Sequence, residues 1–131
     1  MNDSTYTAVL GEAPALPAMA QLLFHGPKLL VVSCGARGAL AASAGEALAQ
    51  AAFAATLVDS TGAGDCFNGA FLAALLEGQP LAAALRFACG AGSIAIGATG
   101  ARSALPDRPT LDRLLAQAPA AELQISRDST C

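Results

Sequence analysis

The run Val58-Asp59-Ser60-Thr61-Gly62-Ala63-Gly64-Asp65-Cys66-Phe67-Asn68-Gly69-Ala70-Phe71 constrains this chain more than any other stretch. It passes from an apolar segment through a polar, glycine-rich turn into a strongly helical one. Phe67, Ala70, Phe71, Ala74 and Leu75 recur at i, i+3, i+4, i+7 and i+8, one face of a helix that Gly78 closes. Glycine lets a backbone come close to a ligand, and a helix N-terminus offers an anion N–H groups that lack intrahelical acceptors. Asp65, a carboxylate in that first turn, has no attraction to an anion. Its place there points to a group acting on a hydroxyl beside a phosphate. The plainer alternative is a helix start and nothing more, with Thr61 or Asp65 capping the free N–H groups.

Around this turn the pattern reads as strands followed by helices, part of an α/β layered fold. Residues 14–24 suit a short helix with Pro17 in its first turn. Residues 28–33 form an apolar run of buried-strand type, Gly35 and Gly38 flank a tight turn, and Ala39 to Ser43 return as a second strand. Residues 46–57 are rich in alanine but sit among short strands and turns, and are read as extended. Pro80 opens another helix, with Leu81, Ala84, Leu85, Ala88, Cys89 and Gly92 on one face. Residues 97–109 read as a loop. Thr110 is the expected cap of a last helix through Leu111, Leu114 and Leu115. Residues 1–118 are expected to form the folded portion, and residues 119–131 a frayed polar tail.

Composition narrows the function. Hydrophobic residues make up 54% of the 131, yet aromatics only 5%, so the core must be built from Ala, Leu, Val and five Phe. A formal charge of −3 with no Lys/Arg cluster argues against a nucleic-acid partner. No apolar run is long enough to span a bilayer. The four cysteines show no C-x-x-C pair and there is one histidine, which makes a zinc site improbable. The reading is of reduced thiols in a cytoplasmic protein.

Two phosphate-loop patterns compete with the Gly62 turn. The G-x-x-x-x-G-K-[ST] loop is absent, because no Gly-Lys pair exists. Gly90-Ala91-Gly92-Ser93-Ile94-Ala95 fits G-x-G-x-x-[GA] but lies inside a helical periodicity, where small residues serve close packing. The extended context of the Gly62 turn is more specific. Asp59-Ser60-Thr61-Gly62-Ala63-Gly64-Asp65-x-Phe67 resembles the second signature, D-[ST]-T-G-A-G-D-x-F, of the PfkB/ribokinase family of carbohydrate kinases. Leu30-Val-Val-Ser33-Cys34-Gly35-Ala36-Arg37-Gly38 is similar to the family's strand ending in a [TS]-x-G-x-x-G nucleotide turn. Gly100-Ala101-Arg102 resembles its cation-closing loop, and Asn2-Asp3-Ser4-Thr5 its N-x-x-E run with Thr5 in place of Glu.

The resemblance implies the C-terminal part of a ribokinase-like three-layer α/β/α sandwich, and an ATP-dependent phosphorylation of a sugar or related hydroxyl. It makes Asp65 the general base. The N–H groups of the Gly62, Ala63, Gly64 and Asp65 turn become an anion hole. It assigns Ser33, Gly35, Gly38 and Cys89 to the nucleotide, with Cys89 standing where relatives often place Asn. It assigns Asp59 and Thr61, with the backbones of Ala95, Ala98 and Gly100, to a monovalent cation. The implied cofactors and partners are ATP, Mg2+, K+ and a sugar, with a homodimer or a complementing N-terminal half to supply the sugar-binding walls. Ala104 replaces a Ser found in some relatives, which removes one side-chain ligand from the cation site. The contrasting reading is a non-catalytic nucleotide-binding remnant or interaction module.

Overall fold

The computed structural model describes residues 1–118, 123, 124 and 130. They fall into two compact units, Met1–Ala51 with Leu123, Gln124 and Thr130, and a second that begins at Ala52.

The first unit is a four-stranded sheet with two helices. Strands β1 (Leu29–Ser33), β2 (Ala39–Ser43), β3 (Ala47–Gln50) and β4 (Leu123–Gln124) lie in that spatial order, each antiparallel to the next. Period-two alternation sends Leu30 and Val32 to the face that also carries Leu40 and Ala42. The register agrees, with Leu30 opposite Ala42 and Val32 opposite Leu40. Onto this face pack Tyr6 of helix α1 (Asp3–Leu10) and Leu16 and Met19 of helix α2 (Leu16–Leu22). The alanines of β2 leave little side chain to bury, and Ala39, Leu40, Ala41 and Ala42 are all buried. The extended reading of residues 46–57 is realised as β3 followed by an irregular segment.

Two expectations change here, and one helix was not anticipated. Residues 3–10 form α1, of which Tyr6 alone is buried; Asn2 supplies the start by accepting the Thr5 N–H on its side-chain oxygen at 2.8 Å. Cys34 is disulfide-bonded, whereas Cys66 and Cys89 are free, so the reading of four reduced thiols fails at Cys34. Spacing along a chain does not say which thiols the fold brings within bonding range. The tail over residues 119–131 lies mostly outside the described residues, but Leu123 and Gln124 are paired with β3 and not frayed.

The second unit is built on helices α3 (Ala63–Leu76), α4 (Leu81–Ala95) and α5 (Arg108–Gln117). Four residues join α3 to α4, a connection short enough to make them an antiparallel pair. Phe67, Phe71 and Ala74 of α3 meet a face of α4 bearing Ala84, Leu85, Ala88 and Ala91, all buried. The two phenylalanine rings stack at 6.4 Å. Gly90 explains the embedded glycine pattern: a β-carbon there would lie 2.9 Å from Leu111 Cδ1 and 3.2 Å from Leu115 Cδ2 of α5. The glycine is a packing device between two helices, not a cofactor loop. Arg86 donates from Nη2 to the carbonyls of Leu115 and Ala118 at 3.0 and 3.2 Å, satisfying the end of α5.

Candidate functional site

The turn before α3 is held by a single carboxylate. Asp59 Oδ1 accepts the Thr61 N–H at 2.9 Å, and its Oδ2 accepts the Gly100 N–H at 2.8 Å. One side chain thus ties the Asp59–Thr61 turn to the loop after α4. The hydroxyl of Thr61 adds to these bonds, and together they hold the Asp59 carboxyl below its ordinary value, the Thr61 side chain having the largest effect. Two backbone bonds reinforce the tie, since Val58 and Asp59 both donate to the Ile96 carbonyl, at 2.8 and 3.2 Å.

Gly62 sits where this packing is tightest. Its φ is +79°, and a β-carbon there would come within 2.9 Å of Ala101 Cβ and 3.0 Å of the Ala101 Cα and carbonyl oxygen. Both the turn and the close approach of the Gly100–Ala101 loop therefore demand glycine. With glycine as N-cap, α3 has no side-chain cap. Neither Thr61 nor Asp65 takes the capping role that a plain helix start would give it. The helix opens with the Cys66 N–H donating to the Gly62 carbonyl at 2.9 Å, and the Ala63 N–H donates to the Ser60 carbonyl at 3.2 Å. The N–H groups of Gly64 and Asp65 have no acceptor among the described residues. Asp65 itself is exposed in this first turn.

Of the residues expected at a cation site, Asp59, Thr61 and Gly100 are joined directly by the bonds above. Ala95 is buried in the last turn of α4, and Ala98 is exposed in the loop that follows. Ser103 donates to the carbonyls of Thr99 and Gly100, so a hydroxyl one residue before Ala104 engages that loop. No group of three or more His, Cys, Asp or Glu among the described residues could hold a metal ion.

The expected nucleotide turn belongs to the first unit. Ser33 ends β1, and residues 34–38 form a tight turn. In it the Cys34 N–H donates to the Gly38 carbonyl at 2.7 Å and the Gly38 N–H to the Gly35 carbonyl at 3.0 Å. Gly35 and Gly38 have φ of +57° and +100°, so both positions favour glycine. Arg37 in this turn pairs with Asp3 of α1 at 3.1 Å, and Asn2 bridges to Ser33. The N-x-x-E-like run and the nucleotide turn are thus neighbours in space. Cys89 lies in the second unit, 5% exposed in α4, and burial pushes its thiol up to about 12.

Sequence reasoning missed the carbonyl of Ile96 as the anchor of the Asp59 turn, and a lone backbone acceptor leaves no sequence signal. It also missed the Asp3–Arg37 pair, which joins residues far apart in the chain.

The chain is 36% identical over 102 residues to the ribokinase of Bacillus subtilis, a match covering 78% of this chain and 34% of that protein. Among solved structures, the Arabidopsis thaliana ribokinase complexed with ribose and ATP superposes with a TM-score of 0.81 at 32% identity, over 89% of this chain and 40% of the relative. Phosphofructokinase-2 from Escherichia coli in complex with potassium gives 0.76 at 26%, over 88% and 38%. The chain therefore spans about a third of the length of the curated relatives it matches, consistent with the C-terminal portion of the ribokinase fold. The pfkB family carbohydrate kinase model itself matches residues 6–108, a stretch that contains the glycine turn, the uncapped helix and the clamped loop, and the chain belongs to that family.

Proposed function

We propose that this chain is the nucleotide-binding and catalytic portion of an ATP-dependent carbohydrate kinase. The observation that carries the reading is the start of α3. It is uncapped, it follows a glycine that cannot be replaced without strain, and it leaves the Gly64 and Asp65 N–H groups unengaged beside an exposed carboxylate. Phosphoryl transfer needs positioning and stabilisation of charge on the equatorial oxygens, which backbone donors at a helix N-terminus supply without a lysine. The Ala63 N–H joins this anion hole by exchanging its long bond to Ser60 for a phosphate oxygen. Asp65 orients the sugar hydroxyl and accepts its proton. The oxygen–phosphorus bond to the sugar forms as the bond to the departing ADP breaks.

Ser33, Gly35 and Gly38 are proposed to hold the nucleotide through the backbone of their turn. Cys89, buried as it is, would contribute shape and not a hydrogen bond. Mg2+ would arrive on the phosphates of ATP, since the described residues offer no carboxylate cage for it. The Gly100 loop, tied to the 59–61 turn by Asp59, is proposed to hold a larger monovalent cation such as the potassium of the Escherichia coli relative. The contrasting reading, a non-catalytic nucleotide-binding remnant, draws on the chain's spanning only a third of its relatives.

Asp65→Asn separates the two. In an enzyme completed with the rest of the fold, the substitution keeps size but removes proton acceptance, and turnover should fall by about 10²–10⁴-fold with ATP affinity unchanged. Equal kcat for Asp65 and Asn would sink the base assignment, and a completed protein that binds ATP without turnover would favour the remnant.

A further inference from the structure

We propose that Arg102 supplies the positive charge that holds polyphosphate at the head of α3, beside the open N–H groups of Gly64 and Asp65. The inference deepens the proposed function and rests on its reading of that helix start as an anion site. Charge balance points to it. Asp59 and Asp65 place two carboxylates at this end of the helix, and neither α3 nor residues 58–62 carry a basic side chain. Phosphate oxygens brought to the N–H groups meet both carboxylates, whereas the helix terminus offers only about half a positive charge. Within the chain, that deficit can be met only from another element.

The loop after α4 brings a cation there. Ala101 lies against Gly62, so close that a β-carbon on Gly62 would come within 2.9 Å of Ala101 Cβ. Arg102 is the next residue, its α-carbon about 3.8 Å further along the chain. Gly64 and Asp65 stand only about 3–4.5 Å of helix rise beyond Gly62, within the span of an arginine side chain. The loop is fixed on both sides of Arg102. Asp59 accepts the Gly100 N–H at 2.8 Å, and the Ser103 hydroxyl donates to the carbonyls of Thr99 and Gly100. Arg102 itself is exposed, and among the described residues its guanidinium has no hydrogen-bond or ion-pair partner. The other basic residues described in this unit are engaged elsewhere. Arg86 donates to the Leu115 and Ala118 carbonyls, Arg108 pairs with Glu77 and Asp112, and Arg113 acts on Asp107.

The test is calorimetric titration of the 131-residue chain with inorganic tripolyphosphate at low salt, with the Gly64 and Asp65 amide resonances followed in parallel. Binding that shifts both amides is expected. Arg102→Gln should weaken it about tenfold, the scale of one charge-assisted hydrogen bond. Arg102→Glu should weaken it further, and Arg102→Lys should stay within about threefold of the parent, because charge is what the site lacks. Raising the salt should narrow the gap between the parent and Arg102→Gln. The melting temperature should not move, as it would for a residue that only props the loop. Arg113→Gln, which removes an exposed cation on α5, should bind as the parent does. Equal affinity for the parent, Gln and Glu forms at position 102, or an equal loss in Arg113→Gln, would overturn the proposal while leaving the anion site standing. Binding that leaves the Gly64 and Asp65 amides unmoved, or no binding by the parent, would overturn it together with the reading of the helix start on which it rests.

Discussion

At Gly62 two independent demands meet on one residue: a left-handed φ and a gap too small for a β-carbon against the Ala101 backbone. Gly62→Ala should cost about 1–3 kcal/mol by strain alone. Gly64→Ala, with open space around it and an ordinary helical φ, should fall within about 0.5 kcal/mol of the parent. Thermal denaturation of the two variants checks the contrast, and equal melting temperatures would refute it. Asp59 makes a pH prediction whose sign is determined. Its hydrogen bonds favour the ionised form in the folded state, so its folded pKa lies below the ordinary 3.8. The contribution is complete above that value and is lost as pH falls through the lower folded one. The amide resonances of Thr61 and Gly100 should therefore shift together in acid below pH 3.8, and Asp59→Asn should abolish the transition.

Among the elements, the helix starts divide by chemistry. α1 is capped by Asn2, and α5 by Asp107, whose carboxylate accepts the Thr110 N–H at 2.8 Å; α2, α3 and α4 have no side-chain cap. Thr110 looked like the cap from sequence because it precedes the leucines. The helix instead begins at Arg108, with Pro109 in its first turn, and Thr110 is the residue being capped. Asp107→Ala should destabilise the second unit by about 1 kcal/mol, read by urea denaturation. No change would mean that packing of Leu111 on α4 alone sets the start of α5. Helices α3 and α4 were legible because Phe67, Phe71, Ala84, Leu85 and Ala88 keep the 3.6-residue period and Gly78 and Pro80 mark the break. Helix α1 was not, because its buried side is one residue, Tyr6.

For the whole molecule, the decisive fact is that the chain spans about a third of its relatives. Sugar phosphorylation needs a second wall to orient the hydroxyl, and loss of positioning removes most of the rate. The 131-residue chain alone is expected to show no turnover above its Asp65→Asn form with ATP, Mg2+ and a panel of sugars. If the proposed function holds, it should still bind ATP. A nucleotide present at a hundredfold its Kd would stabilise the fold by about 2.7 kcal/mol, a rise in melting temperature that calorimetry detects. Turnover by the isolated chain, or no thermal shift at any ATP concentration, would contradict this.

The amino-acid sequence by itself determined the family, the α/β class, the hairpin of β1 and β2, and the position of the glycine turn at the head of α3. Each of these rests on local signals: period, turn glycines, and a motif contiguous in the chain. The tertiary structure decided what no local signal encodes. Asp59 reaches Gly100 across forty residues of chain, and the Ile96 carbonyl anchors the same turn. Gly62 meets the Ala101 backbone, Cys34 takes a disulfide, and Gly90 admits two leucines of α5. The bare start of α3 is the clearest case. Thr61 and Asp65 are residue types that cap helices, so composition alone favours a closed end. The fold spends Thr61 on Asp59, puts glycine at the cap, and leaves N–H groups open, because the distance between side chain and backbone is a property of the assembled loops and not of the sequence order.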